Sequence, residues 1–257
     1  MDTGIAKRTA LVAGSTSGLG LAVARALAAE GANVMLSGRR GEVARAEADR
    51  LPSAAGVEVD LTAVEAAGTL VRAARDAFGE VDILVLNSGG PPPGAASSLT
   101  AEAARAAIET LLLRQMELVS QVLPGMRERG WGRIVAIGSS GVQQPLANLA
   151  LSNMARASLA AYLKTLSREV AADGVTVNMV LPGRIDTDRI TALDQATAER
   201  EGGDAGQARA RAEATIPAGR YGRPEEFAAV VTFLCGAPAS YVTGEQIRCD
   251  GGLVGSY

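Results

Sequence analysis

The chain of 257 residues contains no histidine. That absence excludes a histidine general base, a histidine metal site and a serine–histidine–aspartate triad. Cysteine is nearly as scarce. Cys235 and Cys249 lack metal-ligand spacing and read as small buried side chains in a reducing compartment, so no metal site is expected. Aromatic residues make up only 3% of the chain, which leaves the core to Ala, Val, Leu and Ile. No apolar run approaches the roughly 18 residues of a membrane span. No basic segment followed by an apolar stretch opens the chain, and the expected location is cytoplasmic, with no membrane partner. The net charge is only −3, with both signs dispersed, which gives no reason to expect a nucleic-acid partner.

What is present suits one large α/β domain. Hydrophobic residues reach 47%, enough for a sizeable core. Short β-like runs at Thr9–Ala13, Asn33–Ser37, Gly56–Val59, Ile83–Asn87, Arg133–Gly138, Thr176–Leu181 and Gln246–Cys249 alternate with longer segments of helical periodicity. Leu19–Glu30, Ala63–Phe78 and Ala101–Met126 are the clearest of these. The alternation predicts βαβ units and a doubly wound, Rossmann-type parallel sheet with right-handed crossovers, in a single domain. Ile83-Leu84-Val85-Leu86 is apolar on both faces, as a sheet covered by helices on each side requires. Residues 188–214 stand apart, rich in Ala, Glu and Arg and interrupted by Gly202, Gly203 and Gly206. They read as a helical excursion, either a lid or a plain solvated helix-loop.

The first strand runs straight into Gly14-Ser15-Thr16-Ser17-Gly18-Leu19-Gly20. Glycines there let backbone N–H groups approach a pyrophosphate, and the following helix N-terminus favours the anion. The spacing is G-x-x-x-G-x-G, and its position between strand and helix is what gives it weight. At the end of the second strand an acidic residue would bind both ribose hydroxyls and favour NAD. The chain instead reads Ser37-Gly38-Arg39-Arg40. Without a carboxylate, and with guanidiniums able to hold a 2′-phosphate, NADP(H) is expected over NAD(H). The alternative is that Arg39 and Arg40 are solvated charges at a helix start.

These segments, with Asn87-Ser88-Gly89-Gly90, Pro182-Gly183, Arg220-x-Gly222-Arg223-Pro224-Glu225-Glu226, Tyr241-x-Thr243-Gly244 and Asp250-Gly251-Gly252, resemble the short-chain dehydrogenase/reductase family over nearly the whole length. The resemblance implies that Asp60 and Leu61 flank an adenine and that Asn87, Ser88 and Gly89 line the cofactor. It places Pro182 and Gly183 beside a nicotinamide whose carboxamide Thr187 holds. Asn87 has a second reading as a pin between strands, and Thr187 as a helix cap. The family's habit of forming homo-oligomers, tetramers or dimers, implies the same here. Its members act on small-molecule substrates.

Members usually carry a serine after the fifth strand, a tyrosine thirteen residues later and a lysine four beyond that. Here Ser139 is followed at those spacings by Ser152 and Arg156, and Leu111 falls where a family asparagine is usual. Tyr162 and Lys164 lie on the wrong spacing to be a shifted copy. A serine hydroxyl is a far weaker acid than a phenol, whose pKa is about 10. Arginine, whose pKa exceeds about 12, stays protonated at any ordinary pH and cannot shuttle a proton. The run Asn87–Gly94 with Ser152, Asn153 and Arg156 resembles a divergent 3-oxoacyl-carrier-protein reductase-like subgroup. Expected is an NADP(H)-dependent oxidoreductase acting on a carbonyl, alcohol or activated alkene, with Ser139, Ser152 and Arg156 at the reacting centre and Arg156 also binding the cofactor through its nicotinamide ribose. The alternatives are a nucleotide-binding protein without redox turnover and non-redox chemistry on the same scaffold.

Overall fold

Among the described residues seven strands form one parallel sheet in the order β3-β2-β1-β4-β5-β6-β7. The computed structural model describes residues 2–256. Its first half comprises β1 (Thr9–Val12), α1 (Gly18–Ala29), β2 (Asn33–Gly38), α2 (Gly41–Ala48), β3 (Ala54–Glu58), α3 (Ala66–Phe78) and β4 (Ile83–Leu86). The second half adds α4 (Ala101–Ile108), α5 (Arg114–Glu128), β5 (Gly132–Ile137), α6 (Ala150–Val170) and β6 (Val175–Pro182). It closes with α7 (Asp188–Glu201), α8 (Ala205–Ala214), α9 (Pro224–Cys235) and β7 (Gln246–Cys249). The expected doubly wound α/β fold is therefore present. Its winding reverses between β1 and β4, and a crevice opens there beyond the strand C-termini.

The period-2 alternation of each strand divides the core between the two faces. Leu11, Leu84 and Ile134 face α3, α5 and α6, whereas Val12, Val85 and Val135 face α1 and α9. β7 has the expected bounds, the other strands differ from the expected runs by one or two residues at their ends, and α3 begins at Ala66 instead of Ala63. The larger departure lies at Ala101–Met126, read as one helix. The segment ends an α-helix at Ile108, passes through a π-turn at Glu109–Leu113 and resumes as α5, which runs to Glu128. Two side chains just after the π-turn bond back onto it, Arg114 to the Glu109 carboxylate at 2.9 Å and Gln115 Nε2 to the Thr110 carbonyl at 3.1 Å. Arg114, 1% exposed, donates to the carbonyls of Leu61 at 3.3 Å and Val64 at 2.7 Å.

The excursion at 188–214 is a helical hairpin, α7 and α8, turning at Gly202 in the left-handed region (φ 69°). It is tied to the body at its base. The Tyr221 hydroxyl donates to Asp194 at 3.0 Å, and Arg209 holds Asp186 through two bonds of 3.0 and 3.1 Å. Among the described residues no helix is long and apolar enough to cross a membrane.

Candidate active site

The turn after β1 is shaped by two glycines in the left-handed region, Gly14 (φ 57°) and Gly18 (φ 56°). Ser17 precedes α1 in extended backbone and makes no side-chain cap bond, so the first N–H groups of that helix stay free for an anion. A Cβ at Gly20 would lie 2.5 Å from the Gly14 carbonyl oxygen and 2.7 Å from the Asn87 Nδ2. Only glycine lets the turn close this tightly. Asn87 Nδ2 donates to the carbonyls of Ala13 at 3.2 Å and Gly14 at 2.9 Å, pinning β4 to the turn while also lining the crevice. Ser15 points the other way. It is fully buried, donates to the Val12 carbonyl at 2.7 Å and accepts from the Ser37 N–H at 2.9 Å. Its side chain braces the turn from behind and leaves the crevice to Ser17 and Leu19.

Around the end of β2, Arg39 and Arg40 are exposed, and Arg40 reaches the Thr16 hydroxyl at 3.5 Å. Asp60 is exposed nearby. Hydrogen bonds from the Thr62 N–H and hydroxyl, with Arg39 close at hand, hold its carboxyl below the usual range. Leu61 is buried in the core beside it.

A cavity of about 990 Å³ runs from this turn to the C-terminal ends of β5 and β6. The glycine turn, Ser88 and Gly89 form one end; Ser139, Ser152 and Arg156 line the other; Pro182, Gly183 and Thr187 lie alongside. Ser139 caps a short turn, its Oγ accepting from the Gly141 N–H at 3.1 Å. Ser152 and Arg156 lie one helical turn apart on α6 and are only 7% and 9% exposed. Arg156 Nη1 donates to the Ile137 carbonyl at 2.6 Å. Burial, with Arg189 adding like charge, lowers its pKa to about 10. Behind this pair, Ala107, Leu111, Leu151 and Ala155 form an apolar cluster, with Leu111 occupying the π-turn. Lys164 is engaged elsewhere, donating to the Gly244 carbonyl at 2.8 Å, and neither it nor Tyr162 lines the cavity.

Among the wall residues, Leu146, Asn148 and Arg189 carried no sequence signal. The loop before α6 is stitched to the proline loop, with Gly94 N–H donating to the Asn148 carbonyl at 2.8 Å. Asn153 fixes the same loop, its Nδ2 donating to the Leu146 carbonyl at 2.8 Å. Arg189 on α7 reaches across the mouth to the carbonyls of Gly90 and Pro91. Thr187 sits at the start of α7 without capping it; its Oγ1 donates back to the Ile185 carbonyl at 3.3 Å. Arg39, Arg40, Asp60 and Leu61 lie outside the cavity, toward the edge of the sheet where β2 and β3 end.

The family described as Enoyl-(Acyl carrier protein) reductase matches residues 13–254. The chain belongs to the short-chain dehydrogenase/reductase family. Among its relatives, the 3-oxoacyl-acyl-carrier-protein reductase FabG of Escherichia coli strain K12 is 36% identical over 249 residues, covering 96% of this chain and 97% of the relative. L-sorbose reductase from Gluconobacter frateurii, solved with NADPH and L-sorbose, superposes with a TM-score of 0.93 at 32% identity, covering all of both chains. An actinorhodin polyketide ketoreductase variant solved with NADPH gives 0.92 at 36% identity, covering 97% of this chain and 98% of its own. Short-chain dehydrogenase/reductase membership thus accounts for the sheet order and for the crevice at its reversal point.

Proposed function

We propose that the protein is an NADP(H)-dependent oxidoreductase that acts on a carbonyl, an alcohol or an activated alkene. The observation that carries this reading is the single cavity joining the glycine turn to Ser139, Ser152 and Arg156. The nucleotide fits the residues present. The turn is cleared of side chains at Gly14, Gly18 and Gly20, the α1 N-terminus is uncapped, and nothing lies within 4 Å of a Cβ built at Gly89. Backbone groups of Gly14–Gly20 would hold the pyrophosphate. Asp60 and Leu61 would take the adenine, Asn87, Ser88 and Gly89 the adjoining ribose, and Pro182, Gly183 and Thr187 the nicotinamide. Arg39 and Arg40, free of any carboxylate on β2, would take a 2′-phosphate, which favours NADP(H) over NAD(H). When bound, the nicotinamide supplies or accepts hydride.

The chain's own residues then handle charge. Arg156 places a fixed positive charge beside the reacting centre, where a developing oxyanion gains most from it. The Ser139 and Ser152 hydroxyls orient the substrate oxygen. Ser152 and Arg156 stand where family members usually carry tyrosine and lysine, so no side chain here is a strong proton donor at neutral pH. The proton comes from solvent in the cleft, because the apolar cluster around Leu111 backs the other side. Substrates whose reduction develops a stabilised anion, such as activated alkenes, suit this centre. The α7–α8 hairpin acts as the lid.

Parallel calorimetric titration with NADPH and NADH tests the cofactor assignment, followed by a carbonyl and enone panel read by loss of NADPH absorbance. Tight NADPH binding with turnover of a panel member is expected. Binding of neither nucleotide would end the oxidoreductase reading, and binding without turnover would point to a nucleotide-dependent regulator.

A further inference from the structure

Two arginines meet the cleft without an acidic partner. Arg156 rises from α6, 9% exposed, and donates one hydrogen bond, to the Ile137 carbonyl. Arg189 leaves the first turn of α7, exposed at the rim, and its Nη1 and Nη2 donate to the Gly90 and Pro91 carbonyls, each at 3.3 Å. Its guanidinium lies so close to Gly90 that a Cβ there would sit 2.3 Å from Nη2 and 2.4 Å from Cζ. The bare glycine is what admits it. Among the described residues, neither arginine forms an ion pair, whereas the other cations of the wall do. Arg184 pairs with Asp194 at 3.1 Å and Arg200 with Glu201 at 3.5 Å. Asp188 is exposed on the same wall and bonds neither guanidinium. A guanidinium carries five N–H donors, so most donors of this pair have no protein partner.

Holding a cation in a partly dried site is costly until an anion joins it. Burial lowers the pKa of both arginines, and the Arg189 charge adds to it at Arg156. A shared anion relieves both. We infer that the substrate carries a carboxylate, held between Arg156 and Arg189. This rests on the oxidoreductase reading of the cleft and specifies its substrate class. A carboxylate matches the planar fork of a guanidinium and accepts charge-assisted bonds from two sides. The phosphates of a dinucleotide have their own place on the α1 N-terminus, while Arg189 is bonded to the Gly90 and Pro91 carbonyls, beyond the Asn87–Gly89 stretch.

The test is calorimetric titration of the NADP⁺-saturated protein with α-keto and α,β-unsaturated acids, phenylpyruvate and cinnamate among them, and with the methyl ester of each. Acids are expected to bind at least about tenfold more tightly than their esters, the lower end for a hydrogen bond to a charged group. Arg189→Met should abolish that preference and Arg189→Lys retain part of it, with NADPH affinity unchanged in both. Equal binding of acids and esters, or binding of neither, overturns the inference. So does a matching loss of NADPH affinity in Arg189→Met, which would assign Arg189 to a dinucleotide phosphate. If NADPH itself does not bind, the oxidoreductase reading fails separately. The acids and esters are then titrated into the ligand-free protein, where the same preference is expected and its absence counts equally against the inference.

Discussion

Replacing Arg156 with methionine should make the ligand-free protein more stable. The guanidinium is 9% exposed and its pKa is held at about 10 against an ordinary 12.5, chiefly by burial and secondarily by Arg189. At about 1.4 kcal/mol for each pH unit, keeping the charge inside costs about 3 kcal/mol. The group's folded pKa is depressed, so this penalty is fully present below about pH 10 and is relieved only as pH rises toward 12.5. Offsetting it is the 2.6 Å bond to the Ile137 carbonyl, of the charged kind that contributes about 1.5–3 kcal/mol. Methionine keeps an unbranched, flexible stem that fills the same irregular space. The net expectation is a gain of about 1 kcal/mol, or a rise in Tm of roughly 2–4 °C for a chain of this size. Thermal melts of the two proteins at neutral pH without ligand measure it. Arg156→Lys keeps a buried charge and should give no rise. A fall in Tm for Arg156→Met would refute the reasoning, because the hydrogen bond and packing would then outweigh the desolvation. Activity should move the opposite way, falling with the lost charge.

Three further outcomes are expected. Gly20→Ala forces a methyl to 2.5 Å from the Gly14 carbonyl, an overpacking cost of about 1–3 kcal/mol. It should lower Tm by several degrees and weaken NADPH binding at least about tenfold; unchanged affinity would mean that the turn does not cradle the pyrophosphate. Arg39→Asp should reverse the preference between NADPH and NADH, measured as a ratio of Kd values, and an unaltered ratio would remove Arg39 from the 2′-phosphate site. Glu226 accepts from the Arg220 guanidinium and from the Arg223 N–H, which together hold its pKa at about 2 against an ordinary 4.5. Its contribution is therefore present above pH 4.5 and lost as pH falls toward 2, so the Tm difference between the protein and Glu226→Gln should shrink over that window. A difference that persists to the acid end would show the carboxylate's charge to be irrelevant.

The sheet was legible because most strands announce themselves locally, as short runs dominated by apolar residues and bounded by turn formers, alternating with helical periods. The glycine turn was legible for the same reason, since backbone conformation at Gly14 and Gly18 is a property of those residues. Ser15 shows where such reading stops. It sits inside the motif, yet its neighbours Val12 and Ser37 draw its hydroxyl inward. The π-turn at Glu109–Leu113 is followed by Arg114, whose partners Leu61 and Val64 lie about fifty residues earlier in the chain and leave no mark on the local pattern. Arg189 was equally silent. Within an Ala-, Glu- and Arg-rich segment one arginine resembles the next, and only the contact with Gly90, ninety-nine residues away, sets it apart.

The apolar backing of α6 bears on how the site is wetted. With Ala107, Leu111, Leu151 and Ala155 closed behind Ser152 and Arg156, hydration of the reacting centre is one-sided, from the mouth beneath α7. Enclosure and proton supply then draw on the same opening. A hairpin that settled fully onto the substrate would strengthen every charge interaction beneath it and, by the same movement, cut off the water from which the product takes its proton.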